Sequence, residues 1–231
     1  MDPTVDEEEH SLEMHLPYIH KMLSLAHQDL KPSQYPPLVP IMVGSTSVST
    51  ERAFGALLAP YLADPENAWV ISSDFCHWGL RFGYTYYVSS VPSSLPDISS
   101  LLPLLPKNGL DTATIDTVTG GQNLSRSDRG PRAGQVQIHE SIAAVDLACM
   151  AAIATGSHTS FRDLLRKTGN TVCGRHPIGV VMAGLEAVNK ENAGGDGERK
   201  GVFRFVRYER SSDVVGVRDS SVSYVSAFAV L

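Results

Sequence analysis

Two short clusters bring together groups that can hold a metal or move a proton. The first, Ser72-Ser-Asp-Phe-Cys-His-Trp78, carries Asp74, Cys76 and His77. The second, Cys173-Gly-Arg-His-Pro177, carries Cys173, Arg175 and His176. A thiolate is a soft ligand or a nucleophile, and imidazole suits iron, copper and zinc. A carboxylate can ligate or can orient a histidine. Singly these residues are ordinary: an aspartate after a strand forms turns, a histidine beside tryptophan packs, and a lone cysteine is a small buried hydrophobe. Their joint placement at element ends, away from apolar faces, favours a functional reading. With Pro177 in the first turn of a helix, Cys173 precedes that N-terminus, where aligned amides and Arg175 favour the thiolate. The plain alternative is a turn and a helix start.

Other chemistries fall away on spacing. A cysteine phosphatase loop needs five residues between cysteine and arginine, and neither Cys76 to Arg81 nor Cys173 to Arg175 fits. No G-x-S-x-G, G-x-x-x-x-G-K-[ST] or G-x-G-x-x-G occurs. Glu9, His10 and Glu13 share a helix face by spacing, which reads most simply as a solvated helix start.

The elements that must carry the clusters follow from periodicity. Glu7 to Gln28 reads as an amphipathic helix, kinked or divided at Pro17. Leu38 to Val43 reads as a strand placed at an edge by Pro40. Thr50 to Leu62 reads as a helix with Phe54, Leu57, Leu58 and Tyr61 on its apolar face, capped by Ser49 or Thr50. Trp69 to Ile71 reads as a buried strand ending in the first cluster. This alternation argues for an α/β fold with a parallel or mixed sheet flanked by helices, in which ligands collect beyond strand ends. Residues 89–137, rich in proline and serine, read as a flexible insertion in which Leu101–Leu105 is a local apolar patch. Helices are expected from His139 to near Gly156, over Phe161 to Lys167, and over Ile178 to Asn189. Val202 to Arg210 and Ser221 to Val230 are expected as neighbouring strands.

Composition sets bounds. Of 231 residues, 42% are hydrophobic and 19% charged, an ordinary globular balance, and the net charge of −6 offers nucleic acid no general attraction. Three cysteines without a C-x-x-C pair suit a reducing compartment. Neither a signal peptide nor a membrane span is expected, and the expected location is the cytoplasm, with the nucleus as a second compartment.

Four segments together resemble a known family. Glu9-His-Ser-Leu-Glu-Met-His-Leu-Pro17, Ser72 to Gly79, Cys173 to Gly179 and Asp219-Ser-Ser-Val-Ser-Tyr224 are similar, in order, to signature segments of the Memo family, mediators of ErbB2-driven cell motility. The resemblance covers the chain as a single domain, apart from 89–137 and the glycine-rich turn near Gly194. It implies a fold similar to class III nonhaem-iron (extradiol) dioxygenases, incomplete at the N-terminus. It also implies a pocket holding Asp74, His77 and Cys173, with Cys173 a direct ligand of iron or copper. On the residues themselves, His77 and Asp74 are expected as further metal or catalytic groups. Arg175 and His176 are expected as groups that support the ligand or bind an anion, Arg175 being the one that would receive a phosphorylated or acidic peptide. No settled catalytic activity comes with the family. The implied function is metal binding linked to redox regulation and motility signalling. A phosphotyrosine or acidic-peptide binding module is one alternative, and a dioxygenase-type enzyme is another. Memo proteins carry two histidine ligands ahead of the Glu-His-Ser segment, and none of this chain's eight histidines stands in those segments. Weak metal binding, an exposed sheet edge and uncovered apolar surface are the expected consequences.

Overall fold

The computed structural model describes residues 9–91, 112–191 and 201–231. The chain divides into two compact units, Met1–Ser45 and Thr46–Leu231.

In the first unit, a 3₁₀ turn (Glu13–His15) leads into helix α1 (Leu16–Ala26). Pro17 lies in the first turn of α1, where its missing N–H has no partner to lose. The pattern expected to be kinked or divided at Pro17 is divided there, into a 3₁₀ turn before it and an α-helix that it starts. The Glu9 carboxylate accepts the Leu12 N–H at 2.9 Å, so the acidic start caps the turn. Leu38–Val43 forms no ladder among the described residues, contrary to the strand expected there, and Leu38, Val39, Ile41 and Met42 are exposed. Backbone extension alone does not make a strand without a partner, and Pro40 contributes no donor.

The second unit is built around helix α4 (Ile138–Ala154), buried on nearly every side. Such an all-round apolar helix belongs in a core. Helix α5 (His158–Thr168) follows, capped by the Ser157 hydroxyl and ended by Gly169 at φ 67°, a left-handed position that glycine takes at no steric cost. Helix α6 (Arg175–Glu191) then packs along helix α2 (Val48–Ala63). The two backbones meet at glycine: a Cβ on Gly55 would stand 2.6 Å from the Gly184 nitrogen. That approach corrects the expected face of α2. Its buried residues are Glu51, Gly55, Ala59 and Leu62, while Phe54, Leu57 and Tyr61 are exposed. Small residues let the helices close, and the large apolar stripe is left outside. Ser47, ahead of the expected caps, accepts from the Thr50 N–H at 3.1 Å.

The sheet runs β1 (His77–Trp78), β5 (Ser221–Phe228), β4 (Arg204–Arg210), with both pairings antiparallel. A second ladder joins β2 (Tyr86–Tyr87) to β3 (Gln122–Asn123), also antiparallel. The α/β class therefore holds, and β4 and β5 are neighbours as expected. The pairings among described residues are antiparallel throughout, where a parallel or mixed sheet was expected. Trp69–Ile71 is not a strand; pairing with β5 begins later, where the Phe75 N–H donates to Ser223 O and the Ser223 N–H to Cys76 O.

Within the expected insertion, 92–111, including the Leu101–Leu105 patch, lies outside the described residues. Residues 112–137 carry local structure that packs on the rest of the second unit. They hold a short helix α3 (Thr114–Thr117) and the buried Val118. The hydroxyls of Tyr86 and Tyr87 donate to Val118 O and Val136 O at 2.8 and 2.7 Å, and Thr85 donates to Leu124 O. Tyrosine and threonine side chains thus take up backbone acceptors that regular structure would otherwise need to satisfy.

Candidate functional site

Asp74 and His77 lie at the entrance to β1, and Cys173 just before α6. The backbone laces these segments together. The Cys173 N–H donates to Asp74 O at 3.1 Å, and the Gly174 N–H to Ser73 Oγ at 2.9 Å. Thr171 Oγ1 accepts from the His77 N–H at 2.8 Å and donates to His77 O at 3.0 Å. Contact is close enough to require glycine at 174, where a Cβ would stand 2.4 Å from Ser72 O. Two segments about a hundred residues apart in sequence therefore form one local surface.

On that surface His77 Nε2 stands 3.4 Å from Asp74 Oδ2, a long contact between partly exposed groups. The imidazole also stacks on Phe82, with ring centroids 5.3 Å apart, and the Arg81 guanidinium lies over the same phenyl ring. A carboxylate and an aromatic face thus orient the ring from different directions, as suits a histidine that exchanges a proton or a ligand. Cys173 is exposed, whereas Cys76 and Cys149 are buried. Burial pushes both of those thiols up, with the Asp146 charge adding to it. Cys173 is therefore the cysteine open to solution chemistry.

The remaining expected site residues point elsewhere. The Arg175 guanidinium turns back to Val172 O at 3.3 Å. His176 is buried, with Nδ1 2.8 Å from Glu51 Oε1. Among the described residues no group of three or more histidine, cysteine, aspartate or glutamate side chains is arranged to hold an ion. Asp74, His77 and Cys173 therefore do not fit a metal as a self-sufficient set.

Two buried polar networks support this surface, and periodicity identified neither. Asp146, on the apolar helix α4, accepts from Tyr208 OH at 3.0 Å, Asn170 Nδ2 at 3.1 Å and the Ser223 hydroxyl. Burial pushes its carboxyl up to about 6 against these stabilising hydrogen bonds. The network reaches the site on both sides: Asn170 precedes Thr171, and Ser223 pairs with Phe75 and Cys76. The second network centres on Glu51, a charged residue on an otherwise small and apolar helix face. That misfit was its one sequence signal.

Comparison with known proteins gives the family. The sequence profile of Memo-like proteins matches residues 1–228. The chain belongs to the Memo family. It is 36% identical over 234 residues to Protein MEMO1 of Xenopus tropicalis, covering 100% of this chain and 59% of that protein. Against human Protein MEMO1 it is 34% identical, covering 98% of this chain and 57% of the relative. A MEMO1 family protein of Schizosaccharomyces pombe is 37% identical, with 97% and 60% covered. The chain thus spans about three-fifths of the length of these curated Memo relatives. Among the described residues no helix is long and apolar enough to cross a membrane.

Proposed function

We propose that the Asp74–His77–Cys173 surface is this chain's share of a Memo-type metal-binding pocket for iron or copper, serving redox-linked signalling in cell motility. The observation that carries the reading is the lacing of the two segments, Cys173 N–H to Asp74 O and Gly174 N–H to Ser73 Oγ. It brings a solvent-open sulfur to the loop that holds an oriented imidazole. In this reading Cys173 and His77 are donors, Asp74 orients His77, and further donors complete the set. A bound ion would supply Lewis-acid or one-electron chemistry. The chain's own part is to hold the thiol, the ring and the carboxylate on one rigid surface. The metal reading stands ahead of the phosphopeptide one because the Arg175 guanidinium is already engaged by Val172 O.

Anaerobic titration with copper(I) against a chromophoric chelator, and separately with iron(II), tests this proposal. With an incomplete donor set the chain should compete weakly for copper. Cys173→Ser should remove that competition and His77→Ala weaken it, while Cys149→Ala should leave it intact. No competition by the unchanged chain would overturn the reading. Unchanged competition by Cys173→Ser would refute the assignment.

A further inference from the structure

Glu51 is fully buried at the meeting of α2, α5 and α6. A carboxylate held there needs donors on both oxygens, because an unpaired buried charge is strongly destabilising. Oε2 has His158 Nε2 at 2.7 Å, and Oε1 has His176 Nδ1 at 2.8 Å, Thr46 Oγ1 at 3.2 Å and the Arg162 guanidinium at 3.4 Å. The other charged group facing the cluster is Glu186, whose carboxylate accepts the His158 backbone N–H at 2.8 Å. Gly179 makes room: a Cβ there would lie 2.6 Å from Glu51 Oε2.

The ring contacts determine where the protons sit. A lone pair facing a carboxylate oxygen at these distances would be repulsive, so each ring directs an N–H at Glu51. Thr46 Oγ1 also lies 3.0 Å from His176 Nδ1 and, with its own proton directed at Glu51 Oε1, accepts there. The Thr46 N–H approaches the same nitrogen at 3.4 Å, the longest contact of that ring nitrogen. That leaves His158 Nδ1 and His176 Nε2 as bare lone pairs. Those are the two imidazole nitrogens that are buried without a hydrogen-bond partner among the described residues. The agreement is independent of the donor argument, since an under-used acceptor is better tolerated in a protein interior than an orphaned N–H. His176 sits in the first turn of α6, three residues beyond Cys173.

We propose that Glu51 is a positioning residue that locks His176 in the Nδ1–H form and His158 in the Nε2–H form, and so holds the Cys173–Arg175 turn against Asp74. Its meaning for metal binding rests on the function proposed above. The protons themselves are read without metal, so either idea can fail alone.

Long-range nitrogen–proton correlation spectra of the ¹⁵N-histidine-labelled chain test it. The expected result is a pyrrole-type Nδ1 and a pyridine-type Nε2 for His176, and the reverse for His158. His176 in the Nε2–H form, with Nδ1 accepting from Thr46 or from a protonated Glu51, would overturn the proposal. In Glu51→Gln the amide offers one acceptor and one donor, so one of the two rings must exchange its proton to the other nitrogen. Should that variant unfold, the wild-type spectrum still gives the answer. Hydrogen exchange reads the coupling to the site. In His176→Ala the Cys173 and Gly174 amides should exchange roughly two- to tenfold faster, the factor expected for one lost buried hydrogen bond. In His176→Asn, whose Nδ2 replaces the ring Nδ1–H, they should keep their protection. Equal protection in wild type and His176→Ala would refute the positioning role.

Discussion

Replacing Asp146 with asparagine isolates one buried proton that supports the site. Asp146 is fully buried, and burial raises its carboxyl from 3.8 to about 6. The folded chain therefore binds this proton more tightly than the unfolded chain does. Its contribution to stability is complete below the unfolded value and is lost as pH climbs through about 6. A rise of that size corresponds to about 3 kcal/mol, at about 1.4 kcal/mol for each pH unit. Asparagine keeps the shape and does not titrate. Its amide group needs an acceptor where Asp146 Oδ1 now accepts from Asn170 Nδ2. Asn170 Oδ1, which has no partner among the described residues, can supply one if that side-chain amide turns over. Urea unfolding of wild type and Asp146→Asn should be followed between about pH 4 and 7, with the difference taken at each point so that other groups cancel. Over that range the difference should move by about 2–2.5 kcal/mol in favour of the variant, most of the full amount. A difference flat with pH would refute the account of Asp146 as a carboxyl that burial holds above the usual carboxylate range.

Gly55→Ala should cost at least about 1–3 kcal/mol, because the new methyl meets backbone that cannot turn aside, at Gly184 N (2.6 Å) and Val180 O (2.8 Å). Gly120→Ala, with open space around it, is the control, and the urea midpoint is the measure; equal midpoints would refute the helix crossing. Thr171→Val removes the hydroxyl that both accepts from and donates to the His77 backbone, and should cost about 1–3 kcal/mol for the groups left unpaired. The His77 amide should lose exchange protection in that variant, and retained protection would refute the lacing. Phe82→Ala should leave the urea midpoint nearly unchanged while broadening the His77 ring resonances, since it removes the stacked face and no backbone partner. Sharp, unshifted resonances would show that Asp74 alone orients the ring.

Residue types and their spacing were enough to read the chemical inventory and most helix spans. Periodicity placed α2 and α4–α6, and alternation placed β4 and β5, because these signals are local. Family membership was legible for the same reason: Ser72–Gly79 and Cys173–Gly179 are contiguous words. Which faces are buried follows from packing between distant elements. The large apolar stripe Phe54, Leu57 and Tyr61 pointed to one side of α2, and the Gly55–Gly184 contact turned the other inward. Tertiary contact also decided that Leu38–Val43 and Trp69–Ile71 form no ladder, since a strand exists only where a partner supplies the other half of each hydrogen bond. The Asp146 and Glu51 networks were invisible for the same physical cause. A buried charge is stabilised by groups that arrive from distant parts of the chain, and no spacing along the chain records their meeting.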